Sequence, residues 1–490
     1  MKSFSTAIRN AMAVIVLIML LGSILFVSLG TSYAQILKMS GTTIGKDGTI
    51  SIQFESQSNG VFILQRGSTI ATITNLVATN IITEEASPGT SLRGSFSQAV
   101  SGPAAFYRVQ LGLGPSDPDT VALSTFATGS SDSMAIRNDG TLWGWGANRT
   151  GLLPGINPVP YPHLVLTNVF WKTVAVGDAY VVAIRDDGSL WGWGRNEYGQ
   201  AGIGDMPRAF SPVPILPGVQ WKSVACGELS TLAIDSEGGL WAWGRNLQGE
   251  SGAPISSGVN TPQRILTNST WKSVAVSTSC AVAIREDGTL WGWGSGDSGN
   301  LGYGRGFSSD FTPLNPREFP GASRWKAVAV GQEHTEAIRE DGTLFACGDN
   351  RVGQLGLGDD LRRNYFTNES SMNPVQEGVQ WIAVAAGFLH TVAIRKDGTM
   401  WGWGSNGSGE LGLGKTDYAE VTPQPILATM RWRAVVAARD HTIAMRLDGT
   451  LWGWGSSDDY VLGIGSTAPQ HYVATPQQIG GEAGWRMPSP

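Results

Sequence analysis

At 490 residues the chain is long enough for more than one domain, and 34 Lys and Arg against 40 Asp and Glu give a formal net charge of -6. That acidic balance, with no basic tail, argues against nucleic acid as a partner, because neutralising phosphates takes clustered Lys and Arg. Three cysteines, Cys226, Cys280 and Cys347, are too few and of the wrong parity for a disulfide framework, and read as small buried hydrophobes.

The first 34 residues carry Lys2 and Arg9, no acids, and an apolar run from Ala11 to Gly30 that ends at Ser32-Tyr33-Ala34. The pattern predicts a secretory signal peptide cut after Ala34, with an uncleaved membrane anchor as the alternative, since the run is long enough to span a bilayer. An extracytoplasmic location is expected either way. Residues 35–114 hold no tryptophan and show period-2 stretches at Thr49-Ile50-Ser51-Ile52-Gln53-Phe54 and Gly60-Val61-Phe62-Ile63-Leu64-Gln65, with a closing stretch at Ala105–Leu111. This alternation predicts a small antiparallel β-sandwich. Its Phe106-Tyr107-Arg108-Val109 close resembles that of fibronectin-like modules in secreted bacterial proteins. A linker over 115–120, rich in Pro, Asp and Ser, leads into residues 121–490.

All 19 tryptophans lie in this last region. An aromatic-glycine strand starts at Trp143, Trp191, Trp241, Trp291, Trp401 and Trp452, and Phe345 fills the remaining place. Successive starts lie 48, 50, 50, 54, 56 and 51 residues apart. A second apolar anchor precedes each start by 20 residues, at Leu123, Trp171, Trp221, Trp271, Trp325, Trp381 and Trp432. The stretch from each start to the next anchor varies from 28 to 36 residues. A constant module implies side chains packed in register, and the variable stretch must hold surface loops.

Each module reads as strands. Trp171–Gly177 is a β run, Val181–Arg185 a second, and Asp187-Gly188 a tight hairpin turn before Ser189-Leu190-Trp191-Gly192-Trp193-Gly194. Tryptophans at i and i+2 share one strand face and the glycines the other. Stretches such as Pro212–Leu216 and Thr261–Leu266 complete the unit as proline-tolerant outer strands. Four strands in seven copies predict an all-β chain with a seven-bladed β-propeller. Trp485 starts an eighth unit that Pro488 cuts short, and Leu123 is the expected anchor of the first blade.

The composite unit joins Trp-x-x-Val-Ala-x-Gly, Ala-Ile-Arg-x-Asp-Gly-Thr-Leu-Trp-Gly-Trp-Gly and Asn-x-x-Gly-Gln-x-Gly, and it resembles the repeat of the regulator of chromosome condensation family. Asn196–Gly202 and Asn350–Gly358 carry the likeness, as do the Gly-x-x-His-Thr turns at Gly331–Thr335 and Gly387–Thr391. The resemblance covers about 365 residues and implies the propeller fold. The founding member is a nuclear exchange factor for a small GTPase that docks on chromatin. This chain departs from it in its leader and its acidic charge, and no motif carries over an exchange site. Secreted relatives that inhibit β-lactamases show the scaffold serving as an extracytoplasmic binding platform.

One position breaks the regularity of the module, nine residues after the anchor: Asp132, Tyr180, Ser230, Cys280, His334, His390 and His441. Lying in the turn between the first two strands, these residues are expected to ring one face near the channel, where diverse side chains on a fixed scaffold suit ligand recognition. The competing structural reading, preferred for the histidines, has them hydrogen-bonding the local turn. Glu197 and Tyr198, after the tryptophan strand, are rim candidates. Equivalent histidines of successive blades are expected to lie too far apart to share one metal ion. No Gly-x-Ser-x-Gly elbow or phosphate-binding glycine loop appears, so neither a catalytic residue nor a cofactor is assigned. The expected function is that of an exported, monomeric, non-catalytic propeller binding a protein or glycan through one face. The alternatives are an inhibitor capping a secreted enzyme and, third, a channel-based enzyme.

Overall fold

The structure is a computed structural model that describes residues 125–490, except 156, 253–255, 303–316, 320–322, 364–373, 466–470, 482–483 and 489–490. The expected signal segment, the expected β-sandwich over 35–114, the linker and Leu123 lie outside the described residues. The chain divides into two compact units, Met1–Ser116 and Asp117–Pro490.

The second unit is a ring of seven antiparallel sheets, hydrogen-bonded in sequence order from the channel outward. Blade 2 shows the pattern: Trp171–Val176 innermost, then Tyr180–Arg185, Leu190–Arg195 and Arg208–Ile215. Blades 1, 3, 4, 6 and 7 also have four strands, although the outer strand of blade 4 is only Arg317–Glu318. Blade 5 pairs Trp325–Val330, His334–Arg339 and Leu344–Gly348, and its outer edge is marked by a bridge from Gly348 to Arg363. The outer strands of blades 2 and 3 start at Arg208 and Ser256, earlier than their proline-bearing stretches indicate.

The paired tryptophans do two different jobs. The second of each pair is fully buried, and in every pair but that of Trp403, whose N–H finds no acceptor, it donates its indole N–H to a backbone carbonyl of the preceding blade. Trp193 reaches Leu152 at 3.0 Å, Trp243 reaches Gln200 at 3.0 Å and Trp454 reaches Glu410 at 2.9 Å. A buried indole is large, and satisfying its only donor makes the seam both apolar and polar-complete. The first of each pair is half-buried, and outside blade 3, where Asp235 accepts the Trp241 indole N–H at 2.8 Å, it lies under an arginine that follows or ends the second strand. The Arg185 guanidinium lies 3.5 Å from the Trp191 ring centroid, and Arg395 lies 3.6 Å from that of Trp401. Opposite the rings, a Cβ on Gly192 would meet the Ala201 carbonyl at 2.0 Å. Gly194 bends at φ +95° beside the register shift with the outer strand, so both positions exclude larger residues.

Ring closure corrects the expected role of Trp485. In blade 2 the anchor Trp171 pairs with Arg185, and its N–H donates to the Gly140 carbonyl of the preceding hairpin. Trp485 repeats both contacts from the far end of the chain, bridging Arg137 and donating to Gly449. Arg486 N–H then donates to the Ile136 carbonyl at 2.7 Å, and Thr125 Oγ1 donates to the Arg486 carbonyl at 2.6 Å. Trp485 is thus the anchor of blade 1, whose inner strand is completed by the C-terminal segment, and not the start of an eighth unit.

Candidate functional site

Each second strand begins at the position expected to form a ligand-binding ring, and there the structure differs from that expectation. Asp132, Tyr180, Ser230, Cys280, His334, His390 and His441 are all at most 3% exposed. Each pairs across the sheet with the last glycine of its tryptophan strand, as His390 does with Gly404. The side chains of Tyr180 and the three histidines turn into the seams between blades. His334 Nε2 lies 3.0 Å from Thr391 Oγ1 of the next blade, and His390 Nε2 lies 3.0 Å from Thr442 Oγ1. His441 meets Thr128 of blade 1 at 2.5 Å, closing the ring. Tyr180 donates to the Ser230 carbonyl at 2.8 Å. Cys280 stays within its own blade, 3.3 Å from Ser277 Oγ and 3.1 Å from Asn300 Nδ2. Asp132 accepts from the Asn148 N–H at 2.8 Å. In four of its seven places the ring is a seam lock, where a long strand-opening side chain finds the neighbouring blade before it finds solvent.

Burial also sets the chemistry of these groups. Desolvation lowers the pKa of His334, His390 and His441 to about 3, so the imidazoles are neutral. Burial raises Asp132 to about 6 and pushes the Cys280 thiol up to about 11. A thiol held protonated and enclosed is no nucleophile. All three cysteines are free. Among the described residues no group of three or more His, Cys, Asp or Glu is placed to hold a metal ion.

The residues just before the lock are the ones that reach the surface. The two-residue turns are Ser130-Ser131, Asp178-Ala179, Glu228-Leu229, Thr278-Ser279, Gln332-Glu333, Phe388-Leu389 and Arg439-Asp440, and all fourteen are exposed or half-buried. Neighbouring turns touch around the channel: Asp178 N–H donates to the Glu228 carbonyl at 3.0 Å, and Phe388 N–H to the Ala438 carbonyl at 3.2 Å. The loops that follow the tryptophan strands open on the same face, because each starts with a backbone bond to a turn, as Arg195 N–H does to Ala179. Glu197 belongs to this loop layer. It is exposed and forked by Arg195 at 2.8 and 3.0 Å, and Arg195 also reaches Asp178 at 3.6 Å. Tyr198 is half-buried beside it. The most distinctive patch spans blades 6 and 7, where the exposed Arg439 guanidinium lies 5.3 Å from the Phe388 ring. These turn pairs were legible as the non-repeating dipeptide between the turn glycine and the lock, but the lock residue itself drew the reading.

On the opposite face, five of the seven hairpins share one arrangement. Asp187 Oδ1 accepts from Ser189 N–H at 2.9 Å and Ser189 Oγ at 2.6 Å, and Ser189 Oγ in turn accepts from the Trp191 indole at 2.8 Å. The same relay recurs through Asp139, Asp287, Asp397 and Asp448.

The model of the RCC1-like domain matches residues 207–487, and the regulator of chromosome condensation (RCC1) repeat matches residues 171–200. The chain belongs to the RCC1-like domain family. Its RCC1-like propeller is similar to the Ultraviolet-B receptor UVR8 of Arabidopsis thaliana, with 38% identity over 178 residues, 35% of this chain and 38% of that protein. The chain therefore spans well under half the length of this relative. Among solved structures, yeast RCC1 (Prp20) bound to Kap60 superposes with a TM-score of 0.60 at 20% identity, covering 74% of this chain and 88% of that one. Human WBSCR16 gives 0.58 at 20% identity, covering 79% and 98%. These two likenesses concern the fold.

Proposed function

We propose that this RCC1-like propeller is an exported, non-catalytic binding protein that recognises a protein partner through the face carrying its seven inner turns. The observation that carries the reading is the contrast in variability. No two of the seven turn pairs are alike, whereas five hairpins of the opposite face use one Asp-Ser/Thr-Trp relay. A rigid scaffold holding a layer of unlike side chains is the arrangement of a recognition surface. Phe388 and Arg439 are the anchor candidates, since a ring and a guanidinium together give area and directed hydrogen bonds. Protein is favoured over glycan by the solved neighbour seen bound to Kap60. Export rests on the apolar run Ala11–Gly30 and the Ser32-Tyr33-Ala34 site that follows.

The test is crosslinking capture with the full chain from the extracytoplasmic fraction, with Phe388→Ala and Arg439→Ala compared against the wild type. The expected result is a partner captured by the wild type and lost from the double variant, and a mature N-terminus at Gln35. Equal capture by the double variant moves recognition off this face. Hydrolytic turnover without any turn-dependent partner overturns the binding reading.

A further inference from the structure

The outer strands repeat as regularly as the inner ones, and blades 1, 2, 3, 6 and 7 each carry a proline there, at Pro162, Pro212, Pro262, Pro423 and Pro476. Pairing makes these positions equivalent, because the next residue faces the middle of the tryptophan strand, as His163 does Gly144 and Gln477 does Gly453. Just before the proline stand Ser211, Thr261, Thr422 and Thr475, but blade 1 has Tyr161. The turn that leaves the outer strand also repeats. Leu216, Leu266 and Leu427 hold it at φ +42°, +51° and +43°, and each packs against the core beside it. Blade 7 keeps the left-handed backbone but carries Gly480, at φ +71°. A Cβ there would meet Pro162 at 3.5 Å and Trp485 at 3.7 Å, both ordinary contacts.

The two departures from the repeat face each other where the ring closes, since blade 1 gains an aromatic ring and blade 7 loses a leucine. Between them lies a cavity of about 430 Å³, within the range of small-ligand sites. Tyr161 and Pro162 line it from blade 1, and Ile464, Gln478 and Gly480 from blade 7. Tyr161 is 59% exposed, so its ring is open to a ligand and not spent on the core. Arg137 adds a guanidinium whose plane is set by Trp143 and Trp485, at 4.2 and 5.1 Å from their ring centroids. No Asp or Glu lines the cavity among the described residues.

The lining thus joins apolar rings to a phenol, an amide and a guanidinium. A pyranose has the matching character, with C–H groups on its faces and hydroxyls around its rim. The C–H groups sit on the electron-rich face of an aromatic ring, while the Gln478 amide both donates and accepts and Arg137 donates. Gluco-configured units, whose hydroxyls are equatorial, present the broadest C–H face. We infer that this cavity, in the side wall where blades 7 and 1 meet, is a saccharide site that seats a gluco-configured unit of a β-linked glycan on Tyr161. The site lies apart from the proposed partner surface and does not depend on that reading.

The test is calorimetric titration of the full chain with cellotetraose and, separately, with the β-1,4-linked tetraglucuronate that differs from it only at C6. The expected result is one oligosaccharide per chain. Tighter binding of the uronate assigns a carboxylate to Arg137, and equal or tighter binding of cellotetraose assigns the site to a neutral glycan. Tyr161→Thr, which installs the residue of blades 3, 6 and 7, should weaken binding by about tenfold. Gly480→Leu, which installs the leucine of blades 2, 3 and 6 and fills the cavity, should abolish it, with thermal unfolding confirming that both variants fold. Phe388→Ala, on the turn face, should leave it unchanged. Failure of both probes to bind, binding that survives Gly480→Leu, or binding indifferent to Tyr161→Thr would each overturn the site.

Discussion

The two faces of the propeller are made by the same strands, yet they treat variation in opposite ways. On the hairpin face, a change at one blade breaks a relay that ties a turn to the tryptophan beneath it, as Asp448 is tied through Thr450 to Trp452. On the turn face, Glu228, Phe388 and Arg439 occupy matching places with unlike chemistry because the backbone bonds between turns use main-chain atoms. The general lesson is that a repeat protein stores stability in contacts that cross a seam and keeps specificity in side chains that do not. The sharpest way to break the comparison is to remove a seam contact. Trp193→Ala deletes a fully buried ring and the bond to Leu152, and is expected to cost about 3–5 kcal/mol. Tyr198→Ala, half-buried in the loop layer, should cost far less, and denaturant midpoints of the two variants measure the difference.

Blade 5 offers the same comparison in reverse, because there the seam itself is irregular. Glu336 stands where other blades carry Met134, Val182, Leu232, Val282, Val392 and Ile443. It is fully buried, and although Thr391 and Trp403 of the next blade lie beside it, neither carboxyl oxygen completes a hydrogen bond. Burial pushes its pKa well above the carboxylate range. The folded state then holds a proton that the unfolded chain releases, so stability falls as pH rises above the ordinary carboxyl value. Glu336→Leu is expected to stabilise the ring by about 1–3 kcal/mol at pH 7, with a smaller gain at pH 4. A loss of stability at pH 7 would show that the acid is part of the packing.

The fold was legible in the sequence because each local signal agreed with the next: Asp-Gly turns, alternating tryptophans and a constant anchor spacing all point to one sheet. The position of the lock was legible too, as the one irregular place in a regular module. Its direction was not, since whether His390 faces solvent or Thr442 depends on how closely a second blade approaches, and one repeat carries no record of that. Trp485 misled for a related reason. Counting along the chain makes it an eighth start, whereas closure in space makes it the first anchor.

The lock makes the seams acid-sensitive, and the sign follows from the histidines. Their folded pKa of about 3 lies below the ordinary value of 6.5, so the folded state binds fewer protons than the unfolded one. The stability they contribute is complete above the unfolded value and is lost as pH falls from about 6.5 toward 3, at about 1.4 kcal/mol per pH unit for each buried imidazole. His390→Gln, which keeps a polar group near Thr442, is expected to remove one such share of the slope. Thermal midpoints between pH 7 and pH 5 check it, and an unchanged slope would mean that this seam opens before the histidine titrates.

The smallest effect expected on stability is the most telling for function. Phe388 is half-buried on the turn face, and its backbone N–H, not its ring, makes the contact to Ala438. Phe388→Ala should therefore leave the denaturant midpoint within about 0.5 kcal/mol of the wild type. If the same substitution abolishes partner capture, binding and stability are separable at a single residue, as the contrast between the two faces requires. If instead it destabilises the ring by several times that amount, the turns belong to the scaffold. Recognition would then have to move outward, to the loops around Glu197 and Tyr198, whose varied lengths leave room for it.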